Sequence, residues 1–295
     1  MAQISSNSEE TNLPSVLVTG GNSGIGRALC KLLATEHGCH VIMGARNPAK
    51  GKAALDGILQ AHPEASGKIE LLTIDVASED SCAAAAEELR SKGVILYGLV
   101  NNAGVGLATD QGGGAEAILN TNYYGPKRVS EAMLDLIDPD SGRIVNVSSG
   151  VASMWVRDQD AATKALFSNP DLAQEELDTA VQACVAAGNV GMGGGYGLSK
   201  AALSALTLVQ AKMWPKLKVV SLSPGFIDTP MTHGFGARLT PEQGCVAPLR
   251  CLFGDVTSGF YYGSDGKRSP LTCTRDPGTP EYQGEAVPSP AVYNS

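Results

Sequence analysis

The sequence predicts an α/β fold with a doubly wound parallel sheet, and two observations support this. Short, nearly continuous apolar segments recur along the chain, and segments of helical periodicity separate them. Strands that are apolar on both faces are typical of a parallel sheet covered by helices on both sides. Because one such alternation runs from residue 15 to 263, we predict a single domain that spans 1–295.

The predicted strands are short, apolar segments rich in β-branched residues. In chain order they are SVLVT (15–19), HVIM (40–43), IELLTID (69–75), ILYGLV (95–100), RIVNV (143–147), KVVSL (218–222) and GFYYG (259–263). After the first strand, apolar residues from Ile25 to Leu33 repeat at i, i+4, i+7 and i+8, which predicts an amphipathic helix. Further helices are predicted at 48–59, 78–92, 115–136, 197–213 and 241–252.

Three segments fall outside this alternation. Residues 1–13 form a polar N-terminal arm, and residues 152–195 form an insertion before the helix at 197–213. The middle of the insertion, PDLAQEELDTAVQACVAAG, predicts an amphipathic helix that begins at a proline and ends at Gly188. Residues 264–295 form a Pro/Gly-rich C-terminal tail. We expect this tail to be irregular, mobile surface, with packing over the substrate mouth as the alternative.

Composition and charge exclude several classes of function. A hydrophobic content of 43% and a charged content of 18% are those of a globular protein with a substantial core. The net charge of −8 argues against binding of nucleic acid or an anionic membrane, which needs a basic surface. No apolar run approaches the roughly 18 to 20 residues of a membrane span, and the polar, acidic start does not resemble a targeting signal.

The cysteines and histidines predict neither a disulfide framework nor a metal site. The seven cysteines are odd in number and include no C-x-x-C pair. His37 and His40 lack the i, i+4 spacing of a helical metal pair. We therefore expect reduced thiols, no bound metal and a cytoplasmic location.

A glycine-rich turn, TGGNSGIG (19–26), follows the first strand. Gly20 permits a tight turn, Gly24 lets backbone N–H groups approach a phosphate, and Gly26 lets helix and strand pack closely. The N-terminus of the following helix offers N–H groups and a partial positive charge to a pyrophosphate. Because the spacing is G-x-x-x-G-x-G rather than the commoner G-x-G-x-x-G, a plain glycine-rich turn is the alternative at this point.

The end of the second strand indicates which dinucleotide the turn would hold. A carboxylate there would accept a hydrogen bond from a ribose 2′-hydroxyl, whereas an arginine suits a 2′-phosphate. The chain has Gly44-Ala45-Arg46-Asn47 with no acid nearby, which favours NADP(H) over NAD. A solvated surface arginine is the alternative.

Together with NNAG (101–104), RIVNVSS (143–149) and the pair Tyr196 and Lys200 in YGLSK, these motifs resemble those of the short-chain dehydrogenase/reductases. The resemblance extends from about residue 15 to 263 and implies a Rossmann-type fold. The order of the motifs and the long insertion are most similar to the monomeric carbonyl reductases. The resemblance implies NADPH-dependent reduction of a small-molecule aldehyde, ketone or quinone to an alcohol.

A second Tyr-x-x-x-Lys pair occurs at Tyr123 and Lys127. Tyr196 and Lys200 begin a predicted helix, so their side chains share one face. Pro126, by contrast, disturbs the turn between Tyr123 and Lys127. The resemblance likewise selects Tyr196 and Lys200 as catalytic.

The resemblance implies that Tyr196 protonates the carbonyl oxygen of the substrate. A free tyrosine has a pKa near 10, and a neighbouring ammonium would lower it toward the working pH, where acid–base catalysis is most effective. Lys200 would supply this ammonium and hold the nicotinamide ribose. Ser149, with Ser148 as the alternative, would donate a hydrogen bond to the substrate oxygen. Asn122 would hold a water and Lys200 in a proton relay.

The resemblance also implies contacts with the cofactor and the substrate. The cofactor contacts would be Gly20, Asn22, Ser23, Gly24, Ile25 and Gly26 in the turn, Arg46 at the 2′-phosphate, Asp75, Val76 and Asn102 at the adenosine, and Ile227 and Thr229 at the carboxamide. Phe226 would form an apolar wall of the substrate pocket, or else pack under the following loop. Because Ser23 stands where NADPH-preferring relatives often carry a basic residue, the 2′-phosphate assignment depends on Arg46.

The insertion implies a monomer, because in the carbonyl reductases such a segment covers the helix face that relatives use for oligomer contacts. Its glycines, Gly191 and 193–195, would let the chain bend along the cleft wall before the catalytic helix. A flexible loop is the alternative.

Three other functions stay open from the sequence. The protein could be an NADP-dependent alcohol dehydrogenase that works in the oxidising direction. It could be a C=C reductase on the same scaffold, although NNAG lacks the cysteine that light-dependent protochlorophyllide reductases carry there. It could also be a non-catalytic NADP-binding module, which an intact set of Ser149, Tyr196 and Lys200 disfavours.

Overall fold

The computed structural model describes residues 13–106 and 113–285 and is built around one sheet. Its strands are β1 (Ser15–Val18), β2 (His40–Ala45), β3 (Ile69–Thr73), β4 (Leu96–Asn101), β5 (Arg143–Val147), β6 (Lys218–Leu222), β7 (Tyr261–Tyr262) and β8 (Arg268–Ser269). They are ordered β3-β2-β1-β4-β5-β6-β7-β8 and are parallel except for the pair of β7 with β8. The order reverses between β1 and β4, and a crevice forms at such a point in open α/β sheets.

Helices cover both faces of this sheet. Within the described residues they are α1 (Gly24–Thr35), α2 (Pro48–Ala61), α3 (Glu79–Ser91), α4 (Gly114–Asn122), α5 (Tyr124–Ala132), α6 (Gly150–Arg157), α7 (Ala161–Phe167), α8 (Gln174–Ala186), α9 (Tyr196–Met213) and α10 (Val246–Phe253). One apolar cluster joins the sheet to α1, α2 and α10, and a second joins it to α3 and α5. A third cluster joins α9 to the helices α6, α7 and α8. The doubly wound parallel fold predicted from the sequence is thus confirmed.

Several elements differ from the prediction. The segment predicted as one helix at 115–136 forms two helices that meet at Tyr123. Pro126 contributes to this break, because it has no N–H for the carbonyl of Asn122 four residues earlier. Helices α6 and α7 and strand β8 were not predicted. They contain 8, 7 and 2 residues, and elements so short carry little periodicity.

Helix α8 lies within the stretch of the insertion that the sequence predicts to be helical, and it docks through a carboxylate. The Tyr123 hydroxyl donates to Oδ1 of Asp178 at 2.7 Å, and Nζ of Lys127 donates to Oδ2 at 2.9 Å. Gln174 adds a hydrogen bond of 3.0 Å to the Tyr123 hydroxyl oxygen. Leu177 of the same helix is fully buried in the cluster around α9. The insertion therefore belongs to the core of the domain.

The described part of the C-terminal tail, residues 264–285, is anchored to the rest of the molecule. Arg275 forms an ion pair with Asp265 and donates to Oγ of Ser269 at 2.9 Å. The hydroxyl of Ser153 in α6 donates to the carbonyl of Pro270 at 3.1 Å. Residues 286–295 of the predicted tail and residues 1–12 of the predicted arm lie outside the described ranges.

No helix in residues 13–106 or 113–285 has both the length and the apolar character needed to cross a bilayer. The same ranges contain no group of three or more His, Cys, Asp or Glu side chains arranged to hold a metal ion.

Candidate active site

A cleft of about 500 Å³ lies at the carboxyl edge of the sheet. Its lining comes from segments that follow strands β1 to β6, which is where open α/β sheets bind ligands. The predicted site residues that line it are Gly20, Asn22, Ser23, Gly24, Ile25, Arg46, Asp75, Val76, Asn102, Tyr196, Lys200 and Thr229. The fold thus brings together residues that are distant in sequence around one elongated cavity.

The turn after β1 needs glycine at two positions for different reasons. Gly20 has a φ of +65°, and a Cβ there would lie 2.9 Å from Cα of Ala103. Gly26 does not line the cleft, but a Cβ on it would lie 2.4 Å from Nδ2 of Asn102 and from the carbonyl oxygen of Gly20. The first glycine shapes the turn, and the second allows α1 to pack against it.

The N-terminus of α1 faces this cleft without a side-chain cap. Ser23 is the N-cap residue, but its hydroxyl makes no capping hydrogen bond, and the first turn contains no acidic residue. The Asn102 amide donates to the carbonyls of Thr19 at 2.8 Å and Gly20 at 3.4 Å, so it holds the turn in place. Uncapped N–H groups at a helix start suit an anionic ligand such as a pyrophosphate.

Basic residues line the part of the cleft beyond β2. Arg46 is exposed there, and Lys50 in the first turn of α2 lines the same region. Asn47 between them caps α2, because its Oδ1 accepts from the N–H of Lys50 at 3.0 Å. Sequence analysis missed Asn47 and Lys50, although an Asn before Pro48 followed by a Lys in the first helical turn was a visible capping signal.

Asp75 and Val76 line the cleft beyond β3. The Asp75 carboxylate accepts a hydrogen bond from the N–H of Ala77 at 3.0 Å, and Val76 is 6% exposed. The cleft therefore has a carboxylate held by a backbone N–H and an apolar surface here, in addition to the basic residues Arg46 and Lys50 beyond β2.

Tyr196 and Lys200 occupy the first turn of α9 and are both buried. Nζ of Lys200 donates to the carbonyl of Val147 at 2.8 Å and lies 5.7 Å from the centre of the Tyr196 ring. Gly195 precedes the tyrosine with a φ of +135°, and a Cβ there would lie 2.8 Å from Cα of Ala115. Only glycine fits this close approach, which sets the start of α9 against α4.

The electrostatics of this pair differ from the expectation. Burial raises the pKa of the Tyr196 phenol, and a hydrogen bond with Ser149 partly opposes the rise. Burial also lowers the pKa of Lys200 from 10.5 to about 8. The expectation that the pKa of Tyr196 falls below its usual value is wrong for this structure, because the net shift is upward. Loss of hydration dominates for both groups, and the amine is bonded to a backbone carbonyl instead of the phenol.

The two serines after β5 have different partners. The Ser148 hydroxyl is buried, where it donates to the carbonyl of Lys200 at 2.9 Å and lies 2.8 Å from Oγ of Ser204. Ser149 is half-buried, is the N-cap residue of α6, and accepts from the N–H of Val151 at 3.2 Å. Ser149 is the serine whose side chain opposes the rise in the pKa of Tyr196. Ser148 lines the cleft together with Tyr196, whereas Ser149 is absent from the lining.

Asn122 is fully buried at the end of α4, behind the cleft wall. Its amide donates to the carbonyl of Val105 and accepts from the N–H of the same residue, both at 2.9 Å. It also donates to Oγ of Ser199 at 3.0 Å. The side chain therefore joins the chain after β4 to α9.

Five predicted site residues do not line the cleft: Gly26, Asn122, Ser149, Phe226 and Ile227. Ile227 is buried at 2% exposure, and Phe226 is 48% exposed on the surface. From the same loop, Thr229, Pro230 and Met231 do line the cleft. Pro224 lines the cleft as well, so the loop after β6 contributes residues on both sides of Phe226 in the sequence.

A doubly wound sheet with a glycine turn at its switch point and a buried tyrosine–lysine pair is characteristic of nicotinamide-dependent oxidoreductases. A family model described as short chain dehydrogenase matches residues 14–168. A (+)-neomenthol dehydrogenase of Arabidopsis thaliana is 31% identical over 266 residues, which cover 79% of this chain and 89% of the relative.

Solved structures agree with this match. Salutaridine reductase from Papaver somniferum superposes with a TM-score of 0.74 at 28% identity, over 84% of this chain and 99% of that one. An NADPH-bound carbonyl reductase from chicken fatty liver gives a TM-score of 0.63 at 26% identity, over 88% of this chain and 99% of that one. The chain belongs to the short-chain dehydrogenase family and is an NAD(P)-dependent short-chain oxidoreductase. The resemblance predicted from the motifs is confirmed.

Proposed function

We propose that this protein reduces a carbonyl group to an alcohol with NADPH, and that Tyr196 is the general acid. The observation that carries the proposal is the buried Tyr196 phenol on the wall of the cleft, beside Ser149 and one helical turn before Lys200. The names of similar proteins support the reaction class, since they include salutaridine reductase and an NADPH-bound carbonyl reductase.

The residues of the cleft fit a phosphorylated dinucleotide. The uncapped start of α1 would hold the pyrophosphate, and Arg46 with Lys50 would pair with a 2′-phosphate. Asp75 and Val76 would flank the adenine. When bound, NADPH would supply the hydride that reduces the carbonyl carbon.

The protein's own groups would handle the proton and the developing charge. Because burial raises the pKa of Tyr196, its phenol keeps a proton at neutral pH, as a donor to the carbonyl oxygen must. This protonation state suits reduction better than oxidation, which needs a base. Ser149 would donate a second hydrogen bond to the same oxygen. With its pKa lowered to about 8, Lys200 is mainly an ammonium at pH 7 and would stabilise negative charge on the phenol oxygen.

A comparison of NADPH with NADH tests the cofactor assignment. We expect higher kcat/KM with NADPH, and a loss of about tenfold for Arg46→Ala and for Lys50→Ala with NADPH only, because each removes one charge-assisted contact. Lys52→Ala is the matched control, since Lys52 lies on α2 but forms an exposed pair with Asp56 at 2.8 Å. A preference for NADH in the unchanged protein would overturn the NADPH assignment.

A substrate panel tests the reaction itself. Quinones, aromatic ketones, isatin-like diones and aliphatic aldehydes can be followed by the decrease in NADPH absorbance. Consumption of NADPH with formation of the corresponding alcohol supports the proposal. NADPH binding without turnover of any carbonyl would favour a non-catalytic module.

We further propose a monomer in a reducing compartment, the cytoplasm. The insertion packs α8 against α4, α5 and α9, the helix face that oligomeric relatives would need for subunit contacts. All seven cysteines lie in the described residues and are free thiols, which fits a reducing compartment. A dimer or tetramer in light scattering at micromolar concentration would contradict the monomer.

A further inference from the structure

Strand β7 brings a second tyrosine close to the catalytic serine. The Tyr261 hydroxyl donates to the carbonyl oxygen of Ser149 at 3.1 Å. Successive side chains of a strand point to opposite faces, so the neighbouring Tyr262 points away from this contact. Its hydroxyl accepts from the N–H of Thr257 at 2.9 Å, and its ring packs with α1 and α10.

The carbonyl that Tyr261 contacts belongs to the peptide that joins Ser149 to the first residue of α6. Ser149 has extended backbone angles, φ −166° and ψ 155°, and its carbonyl also accepts the N–H of Ala152 at 3.0 Å as α6 begins. With two donors on this oxygen, the peptide plane after Ser149 is fixed. Rotation of that plane would change ψ of Ser149. Because α6 follows directly, the Ser149 side chain would then shift relative to Tyr196.

Tyr261 is itself held rigidly and stays a donor. It is 5% exposed, and burial raises its pKa to about 12, so its hydroxyl keeps its proton through neutral and moderately alkaline pH. The nearby hydroxyls of Ser153 and Ser223 oppose part of this rise in the pKa.

We propose that Tyr261 is a positioning residue for the reaction: its hydroxyl fixes the peptide after Ser149, so that the serine hydroxyl meets the substrate oxygen alongside the Tyr196 phenol. The proposal rests on the proposed function, because it assigns a role within the same site. Tyr261 does not line the cleft and acts only through Ser149.

Tyr261→Phe tests this proposal, with Tyr262→Phe as the matched control. Both variants remove one hydroxyl from a buried tyrosine of the same strand. We expect kcat to fall about five- to tenfold in Tyr261→Phe, because one neutral hydrogen bond is lost, while the KM for the carbonyl and the Kd for NADPH stay close to those of the unchanged protein. Tyr262→Phe should lose a comparable amount of thermal stability and keep its kcat. Equal kcat values in the two variants would overturn the proposal.

A double-mutant cycle with Ser149→Ala shows whether Tyr261 acts through the serine. In single-turnover measurements, Tyr261→Phe should have little further effect once the Ser149 hydroxyl is absent. Additive losses would overturn the proposal, and where the Ser149→Ala rate is too low to measure, the comparison with Tyr262→Phe decides alone.

If the unchanged protein reduces no carbonyl while binding NADPH, the proposed function has failed. If it is active and Tyr261→Phe keeps its kcat, only the positioning role has failed.

Discussion

The chain contains two tyrosine–lysine pairs with the same spacing, and the fold places them in different surroundings. Tyr196 and Lys200 start α9 at the cleft, while Tyr123 and Lys127 lie at the junction of α4 and α5 under the insertion. Both tyrosines are buried, and burial raises the pKa of each. A lysine four residues after a buried tyrosine therefore does not by itself make the phenol acidic.

The two pairs differ in the groups that surround them. Tyr123 and Lys127 both bind the carboxylate of Asp178, which raises the pKa of the phenol further and neutralises the ammonium. Near the other pair no carboxylate contributes to the pKa of Tyr196 or Lys200; the neighbours are a serine hydroxyl and the carbonyl of Val147. The amine at the cleft is thus left with a pKa near the working pH. We propose that the third partner determines whether a Tyr-x-x-x-Lys pair can do chemistry.

The largest expected effect is the difference in turnover between a variant without the Tyr196 hydroxyl and one without the Tyr123 hydroxyl. Tyr196→Phe should lower kcat by about 10²- to 10⁴-fold, because a general acid is lost, while the Kd for NADPH, measured by fluorescence titration, stays unchanged. Tyr123→Phe should keep kcat and lower the free energy of unfolding by about 1 kcal/mol, because its hydrogen bonds with Asp178 and Gln174 are lost. Near-normal turnover by Tyr196→Phe would remove the catalytic assignment.

How far the sequence predicts this molecule depends on how local each signal is. The glycine turn, Arg46 and the Tyr196–Lys200 pair were predicted because each depends on a strand end or a helix start within a few residues. Asp178 was not, because its contacts with Tyr123 and Lys127 join residues 55 and 51 positions apart. The pKa of Tyr196 was predicted in the wrong direction, since a sequence shows the neighbouring lysine but does not show burial.

Asp178 gives the next largest effect, on stability rather than turnover. Asp178→Ala leaves the buried Tyr123 hydroxyl and Lys127 without their acceptor, so the free energy of unfolding should fall by about 2 kcal/mol. Asp171→Ala is the control in the same insertion, because that carboxylate is 85% exposed and lies 3.7 Å from Lys212. It should shift the urea midpoint little. Equal midpoints for the two variants would show that Asp178 does not hold α8.

The same substitution tests the proposal that the protein is a monomer and that α8 prevents self-association. If Asp178→Ala loosens α8, apolar residues of α9 and Leu177 become accessible, and light scattering should detect self-association near the melting temperature. The unchanged protein and Asp171→Ala should remain monomeric under the same conditions. Association of all three to the same extent would mean that the Asp178 contact does not control it.

The smallest effect concerns Lys200 and has a characteristic pH dependence. Because its pKa is lowered from 10.5 to about 8, the unfolded state binds more protons than the folded state between these pH values. The stability contributed by this group is therefore present above about pH 10.5 and is lost as the pH falls through about 8.

Lys200→Met removes the buried ammonium but also the hydrogen bond to Val147, so we expect a net gain of about 1 kcal/mol in unfolding free energy at pH 7. The gain should disappear above pH 10, and turnover should be lost at every pH. Lys127→Met is the matched control: it removes an ammonium that Asp178 pairs, so it should destabilise the protein at pH 7. If Lys200→Met also destabilises the protein at pH 7, then burial of an unpaired ammonium does not distinguish Lys200 from Lys127.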